Sequence, residues 1–269
     1  MLMDQRPIGV FDSGIGGLTV ASAIRKRLPG ESILYFGDTA HLPYGDKSPE
    51  LIRHYSAHIT HYLLSRGCKA IVIACNTATS HAAGTVADVC GPDIPVINVI
   101  DPVAQAIASD ERLKGKRVGI IGTKGTVDAR MYPRRIAKLT KDVHVASLAT
   151  PLLAPMIEEG FFRNSISQTI IHSYLDKPAL KGISALVLGC THYPLIRKEV
   201  NAYYKGSIQI YDSTALVADN LARVLEAFGL TAGWEHPEYH FIVSDKTKAF
   251  ERSAKLFFGE KISLEEERL

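Results

Sequence analysis

The chain has 269 residues, 46% of them hydrophobic, and its 31 basic and 28 acidic side chains give a formal net charge of +3. That length is enough to bury the core of one large domain or of two smaller ones. The near-balanced charge favours neither a nucleic-acid surface nor a membrane patch, and no apolar stretch approaches the roughly 20 residues that span a bilayer. Residues 1–6 lack the apolar centre of a signal peptide and the four cysteines need not pair, so we expect a cytoplasmic protein with free thiols.

Apolar runs alternate with amphipathic stretches along almost the whole chain, which is typical of βα units around a mostly parallel sheet. The first run, Ile8–Phe11, leads into the glycine-rich segment Asp12–Gly17, and apolar residues then recur at helical spacing through Leu18–Leu28. A later buried run, Ala70–Ala74, ends at Cys75. The sequence therefore predicts a strand, a turn and a helix, followed by a strand whose carboxyl end carries a cysteine.

The same plan returns in the second half of the chain. Val118–Ile121 leads into Gly122–Thr126 and another helical stretch, and the apolar run Ala185–Gly189 ends at Cys190. A repeated order of elements indicates duplication. We therefore predict an α/β fold with two pseudo-symmetric domains, each a mostly parallel sheet flanked by helices, and an active site in the cleft between them.

Two further apolar segments mark the expected crossings between the halves, Pro95–Pro102 and Gly206–Asp212. A helical pattern resumes at Leu216–Leu225, and we expect it to pack on the first half. The predicted first domain is therefore discontinuous and comprises residues 1–98 and 208–269, and the second comprises residues 99–207.

The two strand-end cysteines are the main candidates for chemistry. Ligands of open α/β sheets bind at the carboxyl ends of the strands, and a pseudo-two-fold relation would make Cys75 and Cys190 face each other across the cleft. This geometry suits a base on one face of a carbon and an acid on the other. Either thiol alone would be interpreted as a packing residue, as we interpret Cys68 and Cys90.

Other motifs favour simpler interpretations. The glycine-rich turn resembles an anion cradle, but it has neither a P-loop nor a dinucleotide signature, and a carboxylate substrate would use the same backbone donors. His54, His58 and His61 have the spacing of metal ligands, yet they fall on the solvent-exposed flank of their predicted helix. Cys190 and His192 could form half of a zinc site, but no second close pair completes it. We expect no metal.

Several ordered motifs between residue 8 and about residue 228 resemble those of the glutamate racemases, within the aspartate/glutamate racemase superfamily. The matching segments are Val10–Gly17, Leu42–Gly45, Ala74–Thr79, Pro155–Glu158 and Leu188–Leu195. The Cys-Thr-His-Tyr-Pro-Leu segment resembles the glutamate branch, because aspartate racemases commonly carry Cys-Thr-Glu.

The resemblance implies a cofactor-independent interconversion of L- and D-glutamate that supplies D-glutamate for peptidoglycan. It makes Cys75 and Cys190 the two acid/base thiols, with Cys75 taking the α-proton from D-glutamate and Cys190 taking it from L-glutamate. It assigns Asp12 as helper to Cys75, and His192 with Glu158 as helpers to Cys190. The implied substrate contacts are Asp12, Ser13, Tyr44, Gly45, Asn76, Thr77, Thr191 and His192. Glutamate is the implied partner, no nucleic acid is expected, and relatives are often homodimers.

The chain also departs from the family pattern. Thr150 stands where many relatives have a cysteine that is not one of the acid/base pair. Some relatives carry an N-terminal extension associated with activation by a cell-wall precursor, and we expect no such dependence here. Residues 231–269 match poorly: we expect an edge strand at Tyr239–Ser244 and then a helix, both with a plain structural role. That helix would contain Ala249, Phe250, Ala254, Phe257 and Phe258.

Two competing functions remain open on the sequence alone. The chain could be a racemase for aspartate or another amino acid, which the identity of the equilibrated substrate would reveal. It could instead be a non-catalytic binding or regulatory protein, for example one with the gyrase-inhibiting role of some relatives. The two cysteines argue against the second alternative, because a binding module needs neither.

Overall fold

The computed structural model describes residues 4–269, and in that range ten strands form two sheets in which every pairing is parallel. The strands are β1 (Ile8–Asp12), β2 (Ile33–Gly37), β3 (Ala70–Ile73), β4 (Val96–Asn98), β5 (Arg117–Gly122), β6 (His144–Ala149), β7 (Ala185–Gly189), β8 (Gln209–Tyr211), β9 (Tyr239–Val243) and β10 (Glu265–Glu266). The first sheet has the order β10-β9-β2-β1-β3-β4 and the second has the order β6-β5-β7-β8.

Helices cover both sheets, as parallel strands require. They are α1 (Leu18–Arg27), α2 (Pro49–Ser65), α3 (Asn76–Cys90), α4 (Asp101–Ala108), α5 (Lys124–Asp128), α6 (Met131–Leu139), α7 (Leu153–Glu158), α8 (Ser165–Leu175), α9 (Arg197–Tyr203), α10 (Ser213–Ala227) and α11 (Lys248–Phe258). None of the helices in residues 4–269 combines the length and apolar composition that crossing a bilayer requires.

Strand β1 explains why such apolar runs become central strands. All five of its residues are buried. Val10 belongs to the hydrophobic cluster that also contains residues of α1 and α10, and Phe11 belongs to the cluster that contains residues of α2 and α3. Successive side chains of a strand point to opposite faces, so both faces must be apolar when helices cover both.

The predicted repeat is visible in the strand order. Strands β2-β1-β3-β4 of the first sheet and β6-β5-β7-β8 of the second follow the same path through their sheets. Phe11 pairs with Ile73 where Ile121 pairs with Leu188. The two halves are therefore equivalent residue by residue at the strand ends, and the α/β fold with two pseudo-symmetric sheets is confirmed.

Two details differ from the sequence-based expectations. Strand β8 pairs with β7 in the second sheet, although the predicted division assigned it to the first domain. Strand β9 is not an edge strand, because β10 pairs with its outer side. Helix α10 packs against α1, as expected of a chain that returns to the first half. We therefore propose a division in which the second domain extends to Tyr211.

Candidate active site

Both strand-end cysteines line one small cavity between the two sheets. Cys75 follows β3 and caps the amino terminus of α3, and Cys190 directly follows β7. Each thiol residue is buried, with 6% and 7% of its surface exposed. The cavity has a volume of about 70 Å³. It therefore has room for only a small molecule, well below the roughly 300 Å³ typical of sites for larger ligands.

The cavity brings together nearly all of the residues that the family resemblance implies. Its lining consists of Ser13, Gly14, Leu42, Pro43, Tyr44, Gly45, Cys75, Asn76, Thr77, Thr123, Ala154, Pro155, Glu158, Cys190, Thr191 and His192. Asp12 is the exception, because it is 1% exposed and does not line the cavity. The geometry thus favours its implied role beside Cys75 over a direct substrate contact.

The Cys75 thiol is held by neutral groups. Its Sγ donates to the Ser13 hydroxyl at 3.5 Å and accepts from the backbone N–H of Ala78 at 3.4 Å. Burial, with a smaller contribution from the neighbouring Asp12 charge, raises the pKa of Cys75 from 9.0 to about 12. The contacts with Ser13 and Ala78 act in the opposite direction, since the hydroxyl and the N–H can both donate to the sulfur once the thiol is ionised. Without a substrate, Cys75 is therefore a protonated thiol.

Asp12 lies at the end of β1 next to this thiol. Its Oδ2 accepts from the backbone N–H of Gly17 at 2.8 Å, and its Oδ1 has no hydrogen-bond partner within residues 4–269. Burial raises the pKa of Asp12, while the positive charge of His192 and the Gly17 N–H oppose that increase. A buried carboxylate with a free oxygen and a raised pKa is a stronger base than an exposed one.

The Cys190 thiol has a different neighbour, a histidine paired with a carboxylate. His192 Nε2 lies 2.7 Å from Glu158 Oε1, and His192 Nδ1 lies 3.5 Å from Cys190 Sγ. The Glu158 carboxylate accepts a hydrogen bond from Nε2–H, which leaves Nδ1 of the ring free to accept a proton from the thiol. Burial lowers the pKa of His192, but the negative charges of Cys190 and Glu158 together raise it well above its usual value.

A carboxylate in this cavity would be bound by neutral donors. None of the described lining residues is a lysine or an arginine. Asn76 is 2% exposed, and its Nδ2 has no partner among the described residues, so it is a free donor. Thr77, Thr191 and Ser13 add hydroxyl groups, and the amino-terminal end of α3 adds backbone N–H groups and a partial positive charge.

Hydrogen bonds between the two halves close the cavity. The hydroxyls of Thr77 and Thr123 lie 2.8 Å apart, and the Tyr132 hydroxyl donates to Asn76 Oδ1 at 2.8 Å. On the opposite side, the Thr19 hydroxyl donates to the Thr191 carbonyl at 3.0 Å. These hydrogen bonds therefore join the two halves around the cavity.

Sequence reasoning missed some of the lining residues, of which Thr123 is the most informative. Thr123 follows β5 as Ser13 follows β1, so the predicted repeat contained the signal that could have identified it. The others belong to quoted motifs or lie beside one, and only Gly14 was part of a pattern interpreted as a binding feature, the glycine-rich turn. They are Gly14, Leu42, Pro43, Ala154 and Pro155.

The histidines with metal-ligand spacing lie away from this cavity. His54, His58 and His61 are exposed on α2, as expected of the solvent-facing flank. In residues 4–269, no group of three histidine, cysteine or acidic side chains is arranged to bind a metal ion.

Comparison with known proteins supports the family resemblance seen in the sequence. The family described as Asp/Glu/Hydantoin racemase matches residues 18–221. A glutamate racemase of Neisseria meningitidis is 41% identical over 256 residues, which are 95% of this chain and 93% of that protein. One from Geobacter metallireducens is 39% identical over 261 residues, which are 97% of this chain and 95% of that protein.

A solved structure has the same fold over nearly its full length. The glutamate racemase of Francisella tularensis, determined in complex with D-glutamate, superposes with a TM-score of 0.92 at 35% identity and covers 99% of this chain and 98% of that one. The chain therefore belongs to the Asp/Glu/hydantoin racemase family, and within it to the glutamate racemases.

Proposed function

We propose that this chain interconverts L- and D-glutamate by proton transfer to and from Cys75 and Cys190. The observation that carries the proposal is the pair of buried thiols at equivalent strand ends of the two halves, both lining one cavity of about 70 Å³. The substrate assignment is supported by the glutamate racemases that this chain resembles, one of which was determined in complex with D-glutamate.

In the direction from L- to D-glutamate, Cys190 acts as the base. His192 Nδ1 takes the proton from Cys190, and the resulting thiolate removes the α-proton of L-glutamate. The electron pair stays on the α-carbon, and the Cys75 thiol donates its proton to the opposite face. This forms D-glutamate, leaving Cys75 as a thiolate and Cys190 as a thiol.

In the reverse direction, the roles of the thiols exchange. Asp12 accepts the proton of Cys75, and the Cys75 thiolate removes the α-proton of D-glutamate. The Cys190 thiol then donates to the other face, with His192 and Glu158 supporting it. Each of the two helpers thus acts on the thiol that it adjoins.

The neutral donors have a second role in this mechanism. Removing a weakly acidic α-proton places negative charge on the α-carbon and the adjoining carboxylate. Fixed donors in a closed cavity stabilise such charge more strongly than water does. We assign this role to Asn76, Thr77 and Thr191, with Ser13, Tyr44 and Gly45 completing the substrate contacts.

The proposal extends to the setting of the reaction. D-glutamate is a component of peptidoglycan, so we propose that the enzyme supplies that pathway. All four cysteines carry free thiols, and the mechanism requires two of them to stay reduced, which fits the cytoplasm. A homodimer stays a prediction of the resemblance, and sedimentation equilibrium tests it.

The test is to incubate the purified, reduced protein separately with L-glutamate, D-glutamate and L-aspartate and to follow the circular dichroism of each substrate. We expect both glutamate signals to decay to zero and the aspartate signal to persist. Decay of the aspartate signal alone would make the chain an aspartate racemase. Persistence of all three signals with folded protein would contradict a racemase function.

A further inference from the structure

Helix α11 from the C-terminal segment of the chain reaches the candidate active site. It packs against α1 of the first half. The rings of Phe257 and His192 meet edge to face, with their centroids 4.9 Å apart and their planes at 78°. One turn earlier, the Ser253 hydroxyl donates to the Glu158 carbonyl at 3.4 Å. One helix of the first half therefore contacts both members of the pair next to Cys190.

His192 is held by groups from both halves. Glu158 and Cys190 contact its two nitrogens. From the first half, Gly16 lies so close that a Cβ atom there would be 2.4 Å from His192 Cε1, and Phe257 packs against the ring. Although His192 follows a strand of the second sheet, some of the residues that surround its ring belong to the first half.

We propose that Phe257 is a positioning residue that fixes the ring of His192 for proton exchange with Cys190. This inference rests on the proposed function, and it gives the C-terminal segment a part in the half-reaction at Cys190. The sequence predicted only a structural role for this segment, whereas the proposal makes it part of the site on the opposite domain.

The physical reason lies in the freedom of the imidazole ring to rotate. The second side-chain torsion of histidine has a broad energy minimum, and the ring nitrogens lie 2.7 Å from Glu158 Oε1 and 3.5 Å from Cys190 Sγ. A small rotation of the ring would keep the 2.7 Å bond to Glu158 and lose alignment with Cys190. Phe257, which is 3% exposed, lies edge to face against the His192 ring, and we infer that this contact opposes such a rotation.

The neighbouring residue Phe258 offers a matched control. It lies on the same helix and is also 3% exposed. Its ring packs against Phe241 at 4.8 Å and beneath the Arg25 guanidinium at 5.0 Å, and no aromatic contact joins it to His192 among the described residues. Phe257→Leu and Phe258→Leu therefore remove similar buried volume, but only the first removes the contact with His192.

The kinetic test uses substrates deuterated at the α-carbon. Because L- and D-glutamate are equally stable, kcat/KM must stay equal in both directions and cannot show which thiol a substitution affects. The primary isotope effects on the two substrates can show it, because each reports proton removal by one thiol. In Phe257→Leu we expect kcat/KM to fall about tenfold, the isotope effect on L-glutamate to rise and that on D-glutamate to fall. Phe258→Leu should leave both isotope effects at their wild-type values. Phe257→Met, whose flexible unbranched side chain fills irregular space better than leucine, serves if the leucine variant does not fold.

A second readout does not depend on activity. The ¹³Cε1–¹H NMR signal of His192 reports the ring current of Phe257 and the protonation of the imidazole. In Phe257→Leu we expect this signal to shift and its titration midpoint to fall, because the ring loses its alignment with Cys190, and we expect neither change in Phe258→Leu.

Unchanged isotope effects and an unchanged titration in Phe257→Leu would overturn the inference. A wild-type protein that does not racemise glutamate would refute the proposed function instead, and the titration would then decide the role of Phe257 by itself.

Discussion

The Cys75 half and the Cys190 half share their strand order but surround their thiols with different chemistry. Asp12 ends β1 beside Cys75, and its equivalent at the end of β5 is Gly122. The second half thus lacks the carboxylate of the first at this position, and His192, paired with a carboxylate from α7, lies beside its thiol instead. The comparison teaches that a duplicated sheet fixes where each thiol lies, whereas the groups beside the thiol differ between the two copies of the repeat.

The difference gives the two thiols different neighbours for proton exchange. Burial keeps the pKa of Cys75 at about 12, which makes it a proton donor before substrate binds. Cys190 adjoins a histidine that can accept its proton. We therefore expect the ligand-free enzyme to be prepared for L-glutamate, and the opposite direction to depend on Asp12.

The largest expected effect comes from removing either thiol. Cys75→Ser and Cys190→Ser should each slow racemisation about 10³-fold in both directions, because a serine hydroxyl is a far weaker acid than a thiol and hardly forms the anion that removes the α-proton. Circular dichroism of glutamate measures the rate. Cys90→Ser, at a buried thiol outside the cavity, is the control and should keep near wild-type activity. A Cys75→Ser variant with the wild-type rate would refute the two-thiol mechanism.

The next effect separates the two helpers. Asp12→Asn and His192→Asn should each lower kcat/KM about 10²-fold in both directions. With α-deuterated substrates, Asp12→Asn should increase the isotope effect on D-glutamate, and His192→Asn should increase that on L-glutamate. Equal isotope-effect changes in both variants would mean that the helpers do not act on separate thiols.

Two adjacent glycines provide a further test of whether the two helpers act on separate thiols. A Cβ atom at Gly16 would lie 2.4 Å from His192 Cε1, and one at Gly17 would lie 2.5 Å from Asp12 Cβ. Overpacking of this kind costs about 1–3 kcal/mol, so both alanine variants should unfold at lower urea concentrations. Gly16→Ala, like His192→Asn, should increase the isotope effect on L-glutamate. Gly17→Ala, like Asp12→Asn, should increase the isotope effect on D-glutamate.

Gly14 provides the control in the same loop. A Cβ atom there would meet only Leu42 Cδ2, at an ordinary 3.5 Å. Gly14→Ala should therefore keep the wild-type isotope effects. The same isotope pattern in all three alanine variants would show that the loop acts as a whole and not through separate contacts with the two helpers.

The smallest expected effect concerns the Cys75 half alone and depends on pH. The pKa of Cys75 is 9.0 in the unfolded reference and about 12 in the folded protein. Its neutral form thus contributes stability that is fully present below pH 9 and is lost as the pH rises towards 12. Relative to Cys75→Ala, the wild-type free energy of unfolding should fall by about 1.4 kcal/mol more per pH unit between pH 9 and 11. If urea denaturation shows that the free energies of unfolding of the wild type and of Cys75→Ala change equally with pH, the raised pKa of Cys75 is contradicted.

Local patterns predicted the elements and the two thiols, since apolar runs between helical stretches specify buried parallel strands. They could not predict the pairing of the three-residue strand β8, because its register depends on contacts with distant β7. Nor could they predict that Asp12 lies outside the cavity lining or that Phe257 reaches His192. Both facts depend on how the two halves dock and on where α11 packs, which no short segment encodes.

The most direct test of the two-thiol account is early deuterium incorporation during racemisation in deuterium oxide. At a few per cent conversion of L-glutamate, mass spectrometry of the two isomers after chiral chromatography should find deuterium at the α-carbon of the D-glutamate formed and almost none in the remaining L-glutamate, with the mirror result from D-glutamate. This follows because one thiol removes the substrate proton and the other delivers deuterium from solvent. Product that retains the original proton, or equal early labelling of both isomers, would contradict the account.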